Sequence, residues 1–340
     1  MNLLPVSSVG LLDNDVRSFR QTSVSLNDFS DDHPSQSASV SSDDPPNQFA
    51  SGILLAIIGT FLFALKSIFI KLAYAAGAEP TLLLTLRLGF ALPFYVAVYL
   101  RLRTQKGCHP IRTAHVVRAF GLGFLGYYLA SYLDLTGLTY ITAQLERLTL
   151  FIYPAVVAIL AWLFLGESLN RRIIFSIVLC YCGVALMYGQ EQALTNGSNV
   201  GLGVLLVSGA AISYSIYILF AKPTMQLIGS RQFTSLAMIG STFFVGIHFA
   251  ATRELSELTT AAPAVYLYGI ILAIVCTLLP SFMINEAIMR IGATRTAVIG
   301  SVGPVLTMLL AIVILQEPSS LGHFAGMGIA VLGVSLVTRK

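Results

Sequence analysis

Residues 153–187 read YPAVVAILAWLFLGESLNRRIIFSIVLCYCGVALM, and residues 303–337 read GPVLTMLLAIVILQEPSSLGHFAGMGIAVLGVSLV. Laid together with Pro154 on Pro304, they place Glu167 on Glu317 and Gly183 on Gly333 without a gap. Each copy is an apolar run, a break at Gly or Pro beside an acid, and a second apolar run. Self-similarity at one fixed offset is the mark of internal duplication. Upstream, Lys66-Ser-Ile-Phe lines up with Tyr214-Ser-Ile-Tyr, which extends the two copies to about 50–190 and 199–338.

Composition says what the copies are made of. Of 340 residues, 56% are hydrophobic and only 11% charged, with mean hydropathy +0.79. Ordinary globular domains carry roughly 25% charged residues, so this chain has too few charges to cover a soluble surface. A helix needs about 20 mostly apolar residues to cross a bilayer. Ten stretches approach that length: one within 52–77, then 82–100, 117–133, 141–165, 173–188, 201–221, 232–251, 264–284, 294–315 and 321–337. Five spans per copy is an odd number, so the second copy must insert upside down. The expected fold class is an all-α integral membrane protein, with ten transmembrane helices arranged as two inverted five-helix repeats.

Charge gives the orientation. With the N-terminus in the cytoplasm, the inner connections collect Arg101, Arg103, Lys106, Arg112, Arg118, Arg171, Arg172, Lys222, Arg231, Arg290, Arg295, Arg339 and Lys340, whereas the outer connections hold Arg253 alone. Basic residues concentrate in cytoplasmic loops. The expectation is therefore a multi-pass protein of a cell membrane, of the bacterial inner-membrane kind, with both termini cytoplasmic. The net charge of +4 comes from bases spread along the chain rather than gathered on one face, which argues against a nucleic-acid partner.

Residues 1–48 are a different material, rich in Ser, Asp, Gln and Pro. They cannot bury enough apolar surface to offset the entropy of ordering, and they read as a disordered cytoplasmic tail. Of the cysteines, Cys180, Cys182 and Cys276 lie in apolar runs and read as packing residues, and Cys108 lies in a basic connection. No histidine or acid stands near Cys180 and Cys182 to complete a metal site, and no cofactor is expected.

On the Lys66 helix followed by Arg87, on the Pro154-to-Glu167 segment with Gly183, and on its copy Pro304 to Glu317 with Gly333, the chain resembles the drug/metabolite transporter superfamily, specifically its EamA-type members with ten helices. The resemblance covers about residues 50–338. It implies a carrier that exports amino acids or related metabolites by default.

An ionised group at mid-membrane costs at least about 2.5 kcal/mol on insertion scales. Lys66, Arg87, Glu146 and Arg147 must therefore face the bundle interior, a wet cavity or a partner; Lys71, Asp134, Glu286 and Arg290 read as nearer the interfaces. Lys66 and Arg87 can reach one depth and form a cationic patch for a carboxylate, or pair structurally. Glu146 either carries a proton or neutralises Lys66 or Arg87. Adjacent helix residues point about 100° apart, so Glu146 and Arg147 are not expected to pair directly. Tyr128 in the third helix, and Tyr214 with Tyr217 in the sixth, offer rings and hydroxyls to a ligand. Tyr214 occupies the repeat position of Lys66. Glu167 and Glu317 read as structural residues at helix ends.

The chain has no G-x-x-x-x-G-K-[ST] segment, so ATP is not expected to drive it. The reading is a secondary active transporter, not an enzyme, for a small polar organic metabolite of amino-acid or organic-acid type. Proton or ion coupling is left open, and a monomer is expected to suffice. The alternatives are a membrane sensor or scaffold and, behind it, a lipid-processing enzyme, which the scattered histidines disfavour.

Overall fold

The computed structural model describes residues 46–104, 111–166, 171–195, 199–291, 296, 299–300 and 302–338. The tail up to residue 45 lies outside the described residues, as do Lys106, Cys108, Glu167, Arg295, Arg339 and Lys340. The described residues form helices without a strand. In chain order these are α1 (Pro46–Ala75), α2 (Pro80–Thr104), α3 (Thr113–Gly137), α4 (Ala143–Leu150, resuming at Tyr153–Leu165), α5 (Arg171–Thr195), α6 (Val200–Ile228), α7 (Ser230–Thr252), α8 (Pro263–Ala273 continuing through Leu279–Ile291), α9 (Gly303–Ile314) and α10 (Leu321–Thr338). Helices α1 to α8 are long and apolar enough to cross a membrane, and α9 and α10 are shorter apolar helices. The expected ninth span, 294–315, includes positions outside the described residues, and within it a turn at Val302 precedes α9.

Three interruptions recur at the repeat offset. Both α3 and α8 pass through a π-helical turn, Phe124–Leu129 in one and Ile274–Leu278 in the other. Helix α4 breaks at residues 151–152 and resumes with Pro154 in its first turn; α9 starts with Pro304 in the same place. Proline has no N–H to give the preceding turn, so a helix restarts there more easily than it runs through. The third device ends a helix. Gly166 (φ 69°) and Gln316 (φ 54°) are both left-handed, each one residue before a repeat-matched glutamate.

The inversion is visible where α5 meets α10. Gly183 lies against Gly326 and Ala330, Gly326 against Met187, and Gly333 against Cys180. Ser176 donates a hydrogen bond to the carbonyl of Gly333. Numbers rise along one helix as they fall along the other, so the two are antiparallel. The fifth and tenth helices of a same-way-up duplication would run parallel. A Cβ on Gly183 would sit 2.5 Å from the Gly326 carbonyl oxygen, so the close approach needs glycine. Other pairings exchange in the same manner: α1 runs along α8 as α6 runs along α3, and α1 meets α9 as α6 meets α4.

The polarity of the bundle is reversed relative to a soluble protein. Leu54, Trp162, Leu163, Phe164, Leu205 and Val313 are exposed, while Lys66, Arg87, Asp134, Gln144 and Glu146 are buried. That is the distribution lipid requires, since it offers no partner to a charge.

Candidate functional site

A cavity of about 480 Å³ lies within the bundle. Its wall includes Thr60, Phe63 and Lys66 of α1, Arg87 of α2, Tyr127, Ser131 and Asp134 of α3, Arg147 and Pro154 of α4, Tyr214 of α6, and Thr277 with Ser281 of α8. It extends to Ile284, Thr296 and Gly300, toward the end of the bundle where α1 begins and α8 finishes.

Each local interruption places a wall residue. The π turn of α3 carries Gly126 and Tyr127, and that of α8 carries Thr277. A π turn inserts one residue and frees a carbonyl; here the Thr277 hydroxyl donates to the Leu272 carbonyl at 2.7 Å and accepts from Arg87 Nε at 2.9 Å. The break in α4 presents Phe151, Tyr153 and Pro154 to the cavity.

The charges form one connected cluster. Lys66 Nζ donates to Asp134 Oδ2 at 2.5 Å. Arg147 Nη2 donates to Ser67 Oγ at 2.6 Å and to the Phe63 carbonyl at 3.3 Å. The Ser67 hydroxyl in turn donates to Glu146 Oε2 at 2.6 Å. Arg147 Nε stands 4.0 Å from the same oxygen, so the neighbouring charges that helical geometry sets apart are joined mainly through serine. Two guanidinium nitrogens, Arg87 Nη1 and Arg147 Nε, are buried with no hydrogen-bond acceptor among the described residues.

The opposite end of the cluster is tied together by carboxylates. Glu191 accepts from the N–H and the hydroxyl of Thr142, both at 2.7 Å. Glu317 accepts from the N–H of Ala143 at 2.7 Å and of Gln144 at 3.3 Å. These are the free N–H groups at the start of α4, where a carboxylate is favoured. Gln190 accepts from the Ser320 hydroxyl at 3.0 Å, and Tyr74 donates to the Leu135 carbonyl at 2.7 Å. So α1, α3, α4, α5 and the α9–α10 connection are joined at the end away from Thr296.

Four of the seven sequence-nominated residues, Lys66, Arg87, Arg147 and Tyr214, stand on the cavity wall. The other three do not. Glu146 has 0% exposure and sits behind Ser67 and Arg147, because it faces α1 and α3 rather than the open space. Tyr128 turns outward from the cavity to His248, 2.9 Å from its Nδ1. Tyr217 is held by Tyr127 at 3.0 Å and stacks on Phe233. Asp134, read from sequence as nearer an interface, is the partner of Lys66 in place of Glu146. Helix α3 runs to Gly137 rather than ending near 133, and this carries Asp134 inside. A signal for it was available: Asp134 is the sole aspartate after residue 44.

The model of the EamA-like transporter family matches twice, over residues 50–189 and 201–339. The uncharacterised transporter YcbK of Bacillus subtilis (strain 168) is 30% identical over 292 residues, which is 82% of this chain and 90% of that protein. The uncharacterised transporter sll1319 of Synechocystis is 25% identical, over 84% of this chain and 91% of its own. A WAT1-related protein of Arabidopsis thaliana is 26% identical, over 82% and 86%. A solved crystal structure superposes with a TM-score of 0.59 at 15% identity, over 84% of this chain and 95% of that one, a likeness of fold alone. With apolar helices outside, a charged cavity inside and the family match covering both copies, the chain is a multi-pass membrane protein that belongs to the EamA-like transporter family.

Proposed function

We propose that the protein is a secondary active carrier for a small organic metabolite bearing a carboxylate or phosphate, of the amino-acid or organic-acid kind. The observation that carries this reading is the cationic wall of one cavity, Lys66 with Arg87 and Arg147, of which Arg87 Nη1 and Arg147 Nε are buried without an acceptor among the described residues. A buried donor without an acceptor costs on the order of 1–3 kcal/mol, more when charged. An anionic group on the ligand would relieve that cost, with the contact strengthened by the low dielectric. Tyr214, Phe63 and Tyr127 offer the cargo an aromatic and apolar flank.

The basic connections support an orientation with both termini in the cytoplasm, and the bacterial relatives favour a bacterial inner membrane. In that orientation the cavity reaches toward the cytoplasm and the Glu191 and Glu317 contacts close the outer side. The reading is thus an inward-facing carrier, complete in one chain. Export is the direction we assign by default. Comparing small molecules inside and outside cells with and without the protein tests the proposal. A few anionic metabolites should shift outward when the protein is made. A profile in which no anionic metabolite changes would refute it.

A further inference from the structure

Two carboxyl groups in the membrane interior are incompletely satisfied. Asp134 Oδ1 and Glu146 Oε1 are both buried without a hydrogen-bond donor among the described residues. Asp134 stands on the cavity wall, but these two oxygen atoms are themselves buried, so water in the cavity does not reach them. Adjacent residues of α1 hold them side by side, Lys66 on Asp134 and Ser67 on Glu146, and the two carboxyl groups interact with each other. Two ionised carboxylates in contact repel and can only accept. One carboxylic acid beside one carboxylate makes a short, strong bond and supplies the missing donor.

We propose that Asp134 and Glu146 hold one proton between them, and that this proton is the ion coupled to movement of an anionic cargo. The proposal rests on the carrier reading above and names its coupling ion. The charged and titratable groups around the pair come from four helices: Lys66, Lys71 and Tyr74 on α1, Arg87 on α2, Arg147 on α4 and Cys276 on α8. The Ser67 hydroxyl fills the remaining Glu146 oxygen, and Lys66 fills the remaining Asp134 oxygen. The shared proton is therefore the one contact still open to each acid.

The coupling follows from charge and from geometry. While the proton is held, Lys66, Arg87 and Arg147 outnumber the acids' negative charge by two; when it leaves, by one. Anion affinity consequently falls on deprotonation. Binding free energies are reciprocal, so the anion in turn holds the proton more tightly. The geometry acts in the same sense. A cargo carboxylate that takes Lys66 Nζ displaces Asp134, and Asp134 then keeps its place beside Glu146 only as a proton-sharing pair. Anion and proton cross together, and the sum of their two gradients sets the direction. A cell rich in the anion would export both.

Infrared spectroscopy on the full chain in lipid tests this without knowing the cargo. The wild type should show the carbonyl band of a buried protonated carboxyl at neutral pH. Both Asp134→Asn and Glu146→Gln should lose the band, and Glu286→Gln, which removes the exposed partner of Arg290, should keep it. Four probes follow at matched pH: acetate, succinate, L-glutamate and inorganic phosphate. At least one should move the pH at which the band titrates upward, by about tenfold in proton concentration. A wild type without the band, or a band surviving in both variants, overturns the proton site. An unmoved titration with every probe overturns the coupling. A cargo found in the metabolite comparison together with a missing band sinks the proton pair alone. The band with no cargo sinks the carrier reading and the coupling that rests on it, and leaves the proton pair standing.

Discussion

Lys66 sits where the two demands of an intramembrane charge meet, a partner within the protein and a use in the cavity. Its bond to Asp134 meets the first, and its place on the wall meets the second. The Lys66→Met variant keeps the bulk and removes both. Losing one charge-assisted contact is worth about 2–3 kcal/mol, so transport of the native cargo should fall roughly 100-fold. It also strands Asp134, and misfolding could cause the same loss. The double variant Lys66→Met with Asp134→Asn removes that objection. It should run as a monodisperse folded species in size-exclusion chromatography and remain inactive; recovered transport would reduce the pair to a structural role. Lys66, Arg87 and Arg147 were legible in the sequence because charge in an apolar run has no cheap alternative to the interior. Asp134 was not read as internal because it lies near a helix end, where a shift of a few residues decides between water and core. Ser67 and Thr277 gave no signal, since hydroxyls are common in membrane helices and only geometry shows that Ser67 joins Arg147 to Glu146 and that Thr277 joins Arg87 to the Leu272 carbonyl.

At the level of elements, the sequence carried the helices and the structural role of Glu317 and not the π turns; its copy Glu167 lies outside the described residues. Apolar length is a property of composition, and the Pro154–Pro304 match is a property of spacing; both can be counted. A π turn depends on which carbonyl a side chain occupies, as Thr277 does at Leu272, and no periodicity announces it. The ends of α4 and α9 give a test of the duplicated device. Gly166 meets its left-handed backbone at no steric cost, whereas Gln316 holds φ 54° with a side chain. A left-handed residue other than glycine costs roughly 1–2 kcal/mol. Gln316→Gly should therefore raise the apparent Tm of the purified protein by a few degrees and leave the Glu317 contacts to Ala143 and Gln144 in place. A lower Tm would mean that the Gln316 side chain, which donates to the Val313 carbonyl, contributes more than the strain removes.

For the whole molecule, the antiparallel α5–α10 contact and the one-sided distribution of bases describe a carrier built from two opposed copies. The orientation has its own test. Cysteine placed at exposed Thr139, in a protein lacking its native cysteines, should react with an impermeant reagent outside intact cells, and cysteine at exposed Thr104 should not. The opposite pattern would invert the topology. The central claim is alternating access to one charged cavity, and Ser131 reports on it most directly. It lies on the cavity wall in α3, six residues short of that helix's outer end, and cysteine replaces serine there with little change in shape. The measurement is the rate at which Ser131→Cys reacts with an impermeant thiol reagent in right-side-out and in inside-out vesicles. The account predicts reaction from both faces, faster from the cytoplasmic face toward which the cavity extends. Reaction from one face only would contradict it.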